Sequence, residues 1–370
     1  MARLIDITGK ALSGEWGNDD TDGTGIPVLR TTNFTNDGIV NYEAVVTRSI
    51  TKKDLTQKFL RNGDIIIEKS GGSDKQPVGR VIYFDGPEET YLFNNFTGVL
   101  RIKDRNRWHP RYVFYSLYAN YQQGGTRRYE NRTTGLHNLQ TDQYVSELEI
   151  AEVSLQQQQV CISILDYVSR LINLRKQQIA KLDELFKARF VEMFGDPILN
   201  DKEFPMLKGE DFFKLSNGKA VPEDKRFTEG IPAFGGNGIS WYTDTVMHTE
   251  DTLVVGRVGF QSGNVHLAKG PLWVTDNAMY MSACRFDLYN LVFLCALMEH
   301  IDFTRYQDAG DLKKVTQKPF MQMSYIQPSM MLQEQFAAFV AQTDQQKLTI
   351  QHSLAKLELL KKALMQKYFG

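Results

Sequence analysis

An imperfect internal repeat constrains the fold of this chain more than any other feature. The segment from Ile179 to Gly195 returns 175 residues later as the C-terminal segment from Leu354 to Gly370. Weaker matches precede both segments in the same order: Gly25-Ile26-Pro27 with Gly230-Ile231-Pro232, Asp64 before one apolar run with Asp251 before another, and the pattern G-x-V-x-x-x-x-G-P at Gly79 to Pro87 and at Gly263 to Pro271. The preserved order predicts two homologous halves, and the falling offsets indicate shorter loops in the second.

The repeat divides the chain into four predicted segments. A chain of 370 residues exceeds the size at which one hydrophobic core usually stops growing. We predict a first module over residues 1–153, a long helix over 154–196, a second module over 197–330 and a second long helix over 331–370. The fold class is α+β with a pseudo-twofold internal repeat.

Each module combines short strands with one clear helix. Apolar runs bounded by Gly and Asn turns predict strands at Asp64 to Lys69, Val78 to Phe84, Val99 to Lys103, Thr252 to Val258 and Asn264 to Ala268. Apolar spacing of three and four predicts a helix at Pro110 to Tyr121 and another at Leu288 to Tyr306.

The long helices carry coiled-coil stripes. In the first the apolar positions are Leu165, Val168, Ile172, Ile179, Leu182, Phe186 and Phe190, with Arg175 as a polar interruption. In the second they are Ile350, Leu354, Leu357, Leu364 and Tyr368, and residues 342–347 are polar. Steps of three and four are typical of a helix-pairing seam, so we predict that the helices pair antiparallel. The alternative is that each lies on its own module as an ordinary amphipathic helix.

Charge suggests a partner only locally. The formal net charge is −1, but residues 101–132 hold eight basic and two acidic side chains, a local excess of six positive charges. Such a patch attracts phosphates whatever the net charge of the chain. A solvated charged surface is the alternative interpretation.

Two related modules joined by paired helices would suit two separated sites on duplex DNA. Because the loops of the modules differ, the half-sites should differ in sequence. Long Gly-rich loops bring together Arg, Lys, Asn and aromatic side chains of the kinds that contact phosphates and base edges. The candidate DNA-binding residues are Arg30, Lys69, Lys75, Arg80, Arg127, Arg128, Tyr129, Asn131, Arg132, Lys219, Asn237, Trp241, Arg257, Asn264, Lys313 and Lys314.

Catalytic and cofactor motifs are missing from the sequence. It has no GxxxxGK[ST] ATP loop, no methyltransferase tetrapeptide of the Asn-Pro-Pro-aromatic or Asp-Pro-Pro-aromatic type, no HExxH and no GxSxG. Three cysteines without CxxC spacing predict buried thiols rather than disulfides or a zinc site. The N-terminus lacks a secretory pattern and the longest apolar run is too short to cross a bilayer, so we expect a cytoplasmic protein with no catalytic centre, no bound metal and no membrane contact.

The chain resembles the specificity subunit of type I restriction-modification systems over essentially its whole length. The resemblance rests on the module-helix-module-helix order, the helix signature from Leu182 to Pro197, the Gly-Ile-Pro opening of each module and the Gln-rich helix starts at Leu155 to Gln159 and Leu332 to Gln335. It implies that the modules are target-recognition domains and that the coiled-coil residues set half-site spacing and dock two modification subunits. Those partners would use S-adenosylmethionine to methylate adenine, and restriction subunits would use ATP and Mg.

Two other functions are the alternatives. A non-catalytic scaffold whose modules bind protein or RNA would also fit the repeat, although the basic patch favours duplex DNA. A self-sufficient nuclease or methyltransferase lacks its motifs.

Overall fold

The computed structural model describes residues 1–52, 54–133, 136–310 and 312–370, without the side chains of Arg132, Thr133 and Leu136. It divides into two compact units. Unit 1 comprises Met1–Leu174 with Ser353–Gly370, and unit 2 comprises Arg175–His352. Each long helix contributes residues to both units, whereas the four predicted segments place each helix in a segment of its own; the predicted boundaries stay a prediction.

Unit 1 contains a mixed set of short strands and helices. Its strands are β1 Ala2–Arg3, β2 Leu12–Ser13, β3 Asn18–Asp19, β4 Ile26–Leu29, β5 Val46–Ser49, β6 Ile65–Glu68, β7 Ser70–Gly72, β8 Val81–Tyr83, β9 Leu92–Phe93, β10 Thr97–Leu100, β11 Glu130–Thr133, β12 Leu136–Leu139 and β13 Glu149–Ile150. Its helices are α1 Leu4–Thr8, α2 Pro110–Gln122, α3 Thr141–Glu147 and the first part of α4 Leu155–Phe194. The sheets have the orders β2-β10-β6-β8, β3-β5-β4-β9, β11-β12-β7 and β1-β13.

Unit 2 repeats most of this plan. Its strands are β14 Met206–Lys208, β15 Phe213–Asn217, β16 Ile231–Gly235, β17 Gly238–Thr243, β18 Thr252–Gly256, β19 Val265–Ala268, β20 Trp273–Val274, β21 Ala278–Cys284 and β22 Ser324–Ile326. Its helices are α5 Gly209–Phe212, α6 Leu291–Ile301, α7 Gln317–Gln322 and part of α8 Met330–Phe369. The sheets have the orders β15-β21-β18-β19, β17-β16-β20 and β14-β22.

The strand orders confirm the internal repeat. The central sheets correspond strand for strand, β4 and β16 each pair in parallel with one neighbour, and the long helices are both 40 residues long. Register confirms the sequence matches at Gly25-Ile26-Pro27 and at Gly79. The match of Asp64 with Asp251 is wrong by one residue. When Val81 is equated with Val265, the strand register makes Asp64 the equivalent of Thr252.

Backbone geometry explains the glycine shared by the two halves. Gly79 and Gly263 both have φ near +100°, at 100° and 97°, immediately before β8 and β19. A side chain is strained in this conformation. A Cβ at Gly263 would lie 2.7 Å from the Phe303 backbone, so the position also requires a close approach.

The predicted helices are found with one change. Helix α2 begins at Pro110, a favoured first residue, after His109 as N-cap. The predicted helix from Leu288 to Tyr306 is too long, because Asp302 adopts a left-handed φ of 58° that ends α6, and a separate 3₁₀ turn follows at Phe303–Tyr306.

The long helices pair antiparallel, as predicted, within each unit. In unit 1, Cys161 of α4 lines a cleft with Tyr368 of α8, and Ile172 lines another with Lys361. In unit 2, Lys347 Nζ lies 2.5 Å from Asp183 Oδ1, while the rings of Phe186 and Phe336 are 5.7 Å apart. Later residues of α4 therefore lie beside earlier residues of α8, which is the antiparallel arrangement.

The ends of the helices also belong to the module cores. Leu165 and Phe190 are 0% exposed and lie in clusters that include strands and helices of their own units. The seam hypothesis and its alternative thus each describe part of the helices, since the same stripe pairs the helices and packs on the modules.

Candidate nucleic-acid interface

In unit 2, several predicted contact residues gather at one edge of the central sheet, where β18 ends and β21 begins. The Lys219 backbone N–H donates to the Val274 carbonyl at 2.9 Å, and the Arg257 backbone N–H donates to the Asn277 carbonyl at 2.9 Å. The hairpin turn that carries Asn237 lies against Gly256 and Asn277 through Gly236. Strand ends and turns therefore bring Lys219, Asn237 and Arg257 to one edge.

The same edge of unit 2 receives a lysine-bearing segment. An antiparallel bridge joins Val258 to Lys314, and the Gly259 N–H donates to the Lys313 carbonyl at 2.8 Å. Lys314 is exposed, Lys313 is half-buried, and Asn264 is half-buried beside Gln261. This edge offers cations for phosphates and amides for base edges.

In unit 1, Lys69 lines a cleft of about 740 Å³ at the corresponding edge. Asn95 and Phe96 from the turn before β10, and Asn138 and Gln140 around the end of β12, line the same cleft. Burial lowers the pKa of Lys69 below its usual value, assisted by the nearby positive charge of Lys58. Asp142 also lines the cleft and, against these two effects, raises the pKa of Lys69, so the cleft offers a polar ligand one cation, one carboxylate and several amides.

A second cleft of about 440 Å³ in unit 1 brings together Lys75 and Arg127, with Asn36, Gln76 and Gln122 among its other lining residues. Arg127 and Arg128 are exposed at the 3₁₀ turn that leads into β11. Asn131 is exposed on β11, opposite Asn138 of β12. Arg132 pairs through its backbone with His137, but its side chain lies outside the described residues.

Register makes two pairs of predicted residues equivalent between the units. The Lys69 and Arg257 backbone N–H groups donate to the carbonyls of Phe96 and Asn277, at matching positions of the sheets. Arg80 and Asn264 are equivalent too, since their carbonyls accept from Glu68 and Gly256. A cation follows the central strand in both units, whereas the residues around it differ.

The structure corrects the prediction that Arg80 contacts DNA. Its guanidinium donates to both carboxylate oxygens of Glu68, at 2.8 and 3.0 Å, and to the Thr31 carbonyl at 3.3 Å. The Glu68 side chain is only 1% exposed. Arg80 neutralises this buried carboxylate and is not offered to DNA.

The structure also corrects the prediction that Tyr129 contacts DNA. Its ring is 1% exposed and packs edge-on against Tyr144, with centroids 5.3 Å apart. The Arg128 guanidinium lies 4.8 Å from the Tyr129 centroid. The ring belongs to the core of unit 1, so it cannot stack on a base as the loop sequence suggested.

Three acids from elsewhere in the chain pair with arginines of the segment 101–132 and offset half of its local excess of six positive charges. Arg101 bonds Asp64, Arg107 bonds Glu152 and Arg111 bonds Asp166. These acids lie outside residues 101–132, so the net charge counted over that segment did not include them. Lys103, Arg105, Arg127 and Arg128 are exposed and bond none of these three acids, and of the four only Arg127 and Arg128 lie at the turn that leads into β11.

Arg30 and Trp241 occupy less open positions. Arg30 is half-buried before a 3₁₀ turn, where its backbone N–H donates to Asn33 Oδ1 at 3.0 Å. Trp241 is half-buried on β17, and the Arg226 guanidinium lies over its ring, 4.4 Å from the centroid. Both stay predictions as contact residues.

Exposed aromatic side chains at these edges were not predicted from the sequence. Phe96 is 53% exposed in the cleft of Lys69, and Phe260 is 87% exposed in the loop that follows Arg257. The signal for Phe260 was its place between glycines in the stretch Gly259-Phe260-Gln261-Ser262-Gly263.

The helix residues predicted to dock partners differ in accessibility. Leu165, Val168, Ile172 and Phe190 are buried in this chain, so they support the fold and are closed to a partner. Leu185 and Leu360 occupy equivalent positions of the two helices and are 48% and 46% exposed. Half-buried positions are Ile179, Leu182, Phe186, Ile350, Leu354, Leu357 and Leu364.

No group of three or more His, Cys, Asp or Glu side chains in the described part of the chain could hold a metal ion. Among the described helices, none has the length and apolarity needed to cross a membrane.

Known proteins resemble this chain in sequence and in fold. The family model of the type I restriction modification DNA specificity domain matches residues 3–184. The type I restriction enzyme EcoprrI specificity subunit of Escherichia coli is 28% identical over 141 residues, which cover 35% of this chain and 35% of that protein. The match thus spans about a third of the length of this curated relative.

Two solved structures share the fold over the full length of this chain. A type I restriction-modification S subunit from M. genitalium superposes with a TM-score of 0.66 at 15% identity, over 100% of this chain and 95% of that one. A chain from a study of complex assembly and conformational transition of the type I R-M system gives a TM-score of 0.56 at 15% identity, over 100% and 96% of the two chains. At this identity the likeness concerns the fold.

Proposed function

We propose that this chain, which through residues 3–184 belongs to the type I restriction modification DNA specificity family, reads a bipartite DNA target for a restriction-modification complex. Each unit reads one half-site, and the two half-sites differ in sequence. The chain supplies recognition without catalysis of its own.

One observation carries the proposal: the two units share a strand order but differ in the loops at the same sheet edge. Lys69 and Arg257 are equivalent, yet Lys69 faces Asn138 and Gln140 in a cleft, while Arg257 lies beside a lysine-bearing segment. In unit 1 the sheet β11-β12-β7 adds a surface for which the described part of unit 2 has no counterpart. A common scaffold with different edge chemistry favours two different half-sites.

The partners follow from the family. Two modification subunits would dock on the paired helices, bind S-adenosylmethionine and methylate adenine; restriction subunits would supply ATP- and Mg-dependent translocation and cleavage. The equivalent exposed Leu185 and Leu360 support two similar docking sites. The paired helices would set the number of unread base pairs between half-sites. The cytoplasmic location stays a prediction.

The test is to co-express this chain with modification subunits and to sequence host DNA for N6-methyladenine. The expected result is one asymmetric two-part motif with a fixed unread gap. Exchange of residues 197–330 for the corresponding module of a relative should change one half of the motif only. A stable complex that produces no methylated motif would overturn the proposal and favour the scaffold that binds protein or RNA.

A further inference from the structure

A phenyl ring is exposed to solvent near the edge of the central sheet of unit 2 where β18 ends and β21 begins, which we call the interface edge. Phe260 is 87% exposed, more than any other large apolar side chain among those described. It occupies a turn that the Ser262 N–H closes by donating to the Gly259 carbonyl at 3.0 Å. Full exposure of a phenyl ring forgoes the free energy of burial, which makes this ring a candidate for contact with a ligand.

The backbone that carries Phe260 is fixed by hydrogen bonds. The side-chain amide of Gln307 donates to the carbonyls of Phe260 and Ser262, at 3.1 and 2.8 Å. Ser262 is 0% exposed, and Gly263 lies close to the backbone of Phe303. The ring is therefore presented by an anchored turn, and holding it in place costs little conformational entropy on binding.

Cations flank the turn. Its stem is joined to the lysine-bearing segment, since the Val315 N–H donates to the Arg257 carbonyl at 3.0 Å and Gly259 bonds Lys313. The Asp308 carboxylate bonds the backbone N–H of Lys314 at 2.9 Å, so an acid also stands in this segment. Arg257 Nη1 and Lys313 Nζ donate to the backbone carbonyls of Asp276 and Asp308, at 3.2 and 3.3 Å, which holds both cations near the stem of the turn. An apolar ring on a turn whose stem carries these cations and Lys314 matches nucleic acid, in which stacked bases lie between phosphates. An apolar protein pocket would not need the three cations.

We propose that Phe260 is a wedge that inserts between adjacent base pairs of the half-site read by unit 2, while the flanking cations hold the phosphates. This inference rests on the proposed function and adds a specificity determinant to it. Insertion unstacks one base step, and a pyrimidine–purine step unstacks most readily. The half-site should therefore prefer a flexible step at a position with no hydrogen-bonded base contact.

The test uses the complex with modification subunits and duplexes that carry 2-aminopurine at successive positions of the methylated motif. With the natural chain, 2-aminopurine fluorescence should rise at one step of the second half-site. Phe260→Ala should abolish that rise and weaken binding about tenfold or more, the scale of lost aromatic stacking. Phe260→Leu, which keeps an apolar side chain, should fall between the two.

Phe286→Ala is the matched control. Phe286 is 51% exposed in the same unit, but it follows the far end of β21, whose first residues border the interface edge. This variant should bind and report like the natural chain. Thermal unfolding of each variant checks that the exposed ring is not needed for folding.

The outcomes separate the two proposals. If the natural complex recognises a bipartite motif but Phe260→Ala leaves affinity and fluorescence unchanged, the wedge is wrong and the proposed function stands. If the natural complex shows no fluorescence rise at any step, the ring does not insert and the wedge is likewise wrong. If the natural complex recognises no bipartite motif, the proposed function fails, and the wedge fails with it.

Discussion

Gln158 and Gln333 occupy the same position in the two long helices, both are 0% exposed, and they make the same three hydrogen bonds. Each side-chain carbonyl accepts the backbone N–H of the residue that caps the module helix, His109 in unit 1 and Asn290 in unit 2. Each side-chain amide donates to one carbonyl just before that cap and to another just before the long helix. These glutamines fasten α2 to α4 and α6 to α8.

Replacement of Gln158 by Leu should destabilise unit 1. The change removes three hydrogen bonds, from the His109 N–H and to the carbonyls of Arg107 and Val153, in a partly buried site, and each lost bond costs about 0.5–1.5 kcal/mol. Urea unfolding of the natural chain and the variant measures the loss. Gln159→Leu is the control, because Gln159 is exposed one residue away. Equal midpoints for the two variants would contradict the fastening role.

The sequence predicted the framework of the fold better than the details of the site. The repeat, the helix pairing and strands such as β6 and β18 follow from local patterns of apolar residues and glycine, which a sequence displays directly. The role of Gln158 did not follow, because its partners lie about 50 residues away and only the folded chain brings them together. The predictions for Arg80 and Tyr129 failed for the same reason. Arg80 pairs with Glu68 and Tyr129 packs on Tyr144, and only the folded chain shows these contacts.

The exposed arginines should act through phosphates. Arg127→Ala with Arg128→Ala should weaken DNA binding and reduce the dependence of log K on log salt by up to about 2, close to one unit for each lost phosphate contact. Binding of the assembled complex at several salt concentrations measures this slope. Arg105→Ala is the control, since the Arg105 guanidinium donates to the Asn62 carbonyl before β6, away from the loops that follow that strand. An unchanged slope in the double variant would remove this turn from the interface.

Arg80 should behave in the opposite way. Arg80→Ala leaves the buried carboxylate of Glu68 without its charged partner, and breaking such a pair costs about 3–5 kcal/mol. The stability of unit 1 should fall, while the salt slope of DNA binding by the folded fraction stays unchanged. Arg101→Ala, which removes the charged partner of the fully buried Asp64, is the matched comparison and should lower the stability by a similar amount. A reduced slope without loss of stability would restore Arg80 to the interface.

Lengthening both long helices together should widen the unread gap of the target. Insertion of four residues after Leu174 and after Thr349, which are equivalent positions of the repeat, keeps the helix pairing in step. Four residues add about 6 Å of helix, so the gap should grow by one or two base pairs while both half-sites are retained. Sequencing of methylated DNA from cells with the altered complex reports the gap. Retention of the original gap would show that the helices do not set the spacing.

His109 should make the stability of unit 1 depend on pH. It caps α2 with Nδ1 accepting the Arg111 N–H at 3.2 Å, and burial lowers its pKa from the usual 6.5, with nearby Arg111 and Arg105 acting in the same direction and Asp166 against them. The unfolded chain then binds the proton more readily, so this contribution to stability is present above pH 6.5 and is lost as the pH falls through the lower folded pKa. His109→Asn copies the cap of α6, where Asn290 accepts two backbone N–H groups and does not titrate. Urea unfolding at pH 5.5 and 7.5 should show a smaller pH dependence for His109→Asn than for the natural chain; what dependence remains comes from other groups, among them His266 and His300, whose pKa values burial also lowers. If the variant loses as much stability between these pH values as the natural chain does, protonation of His109 is not coupled to the cap.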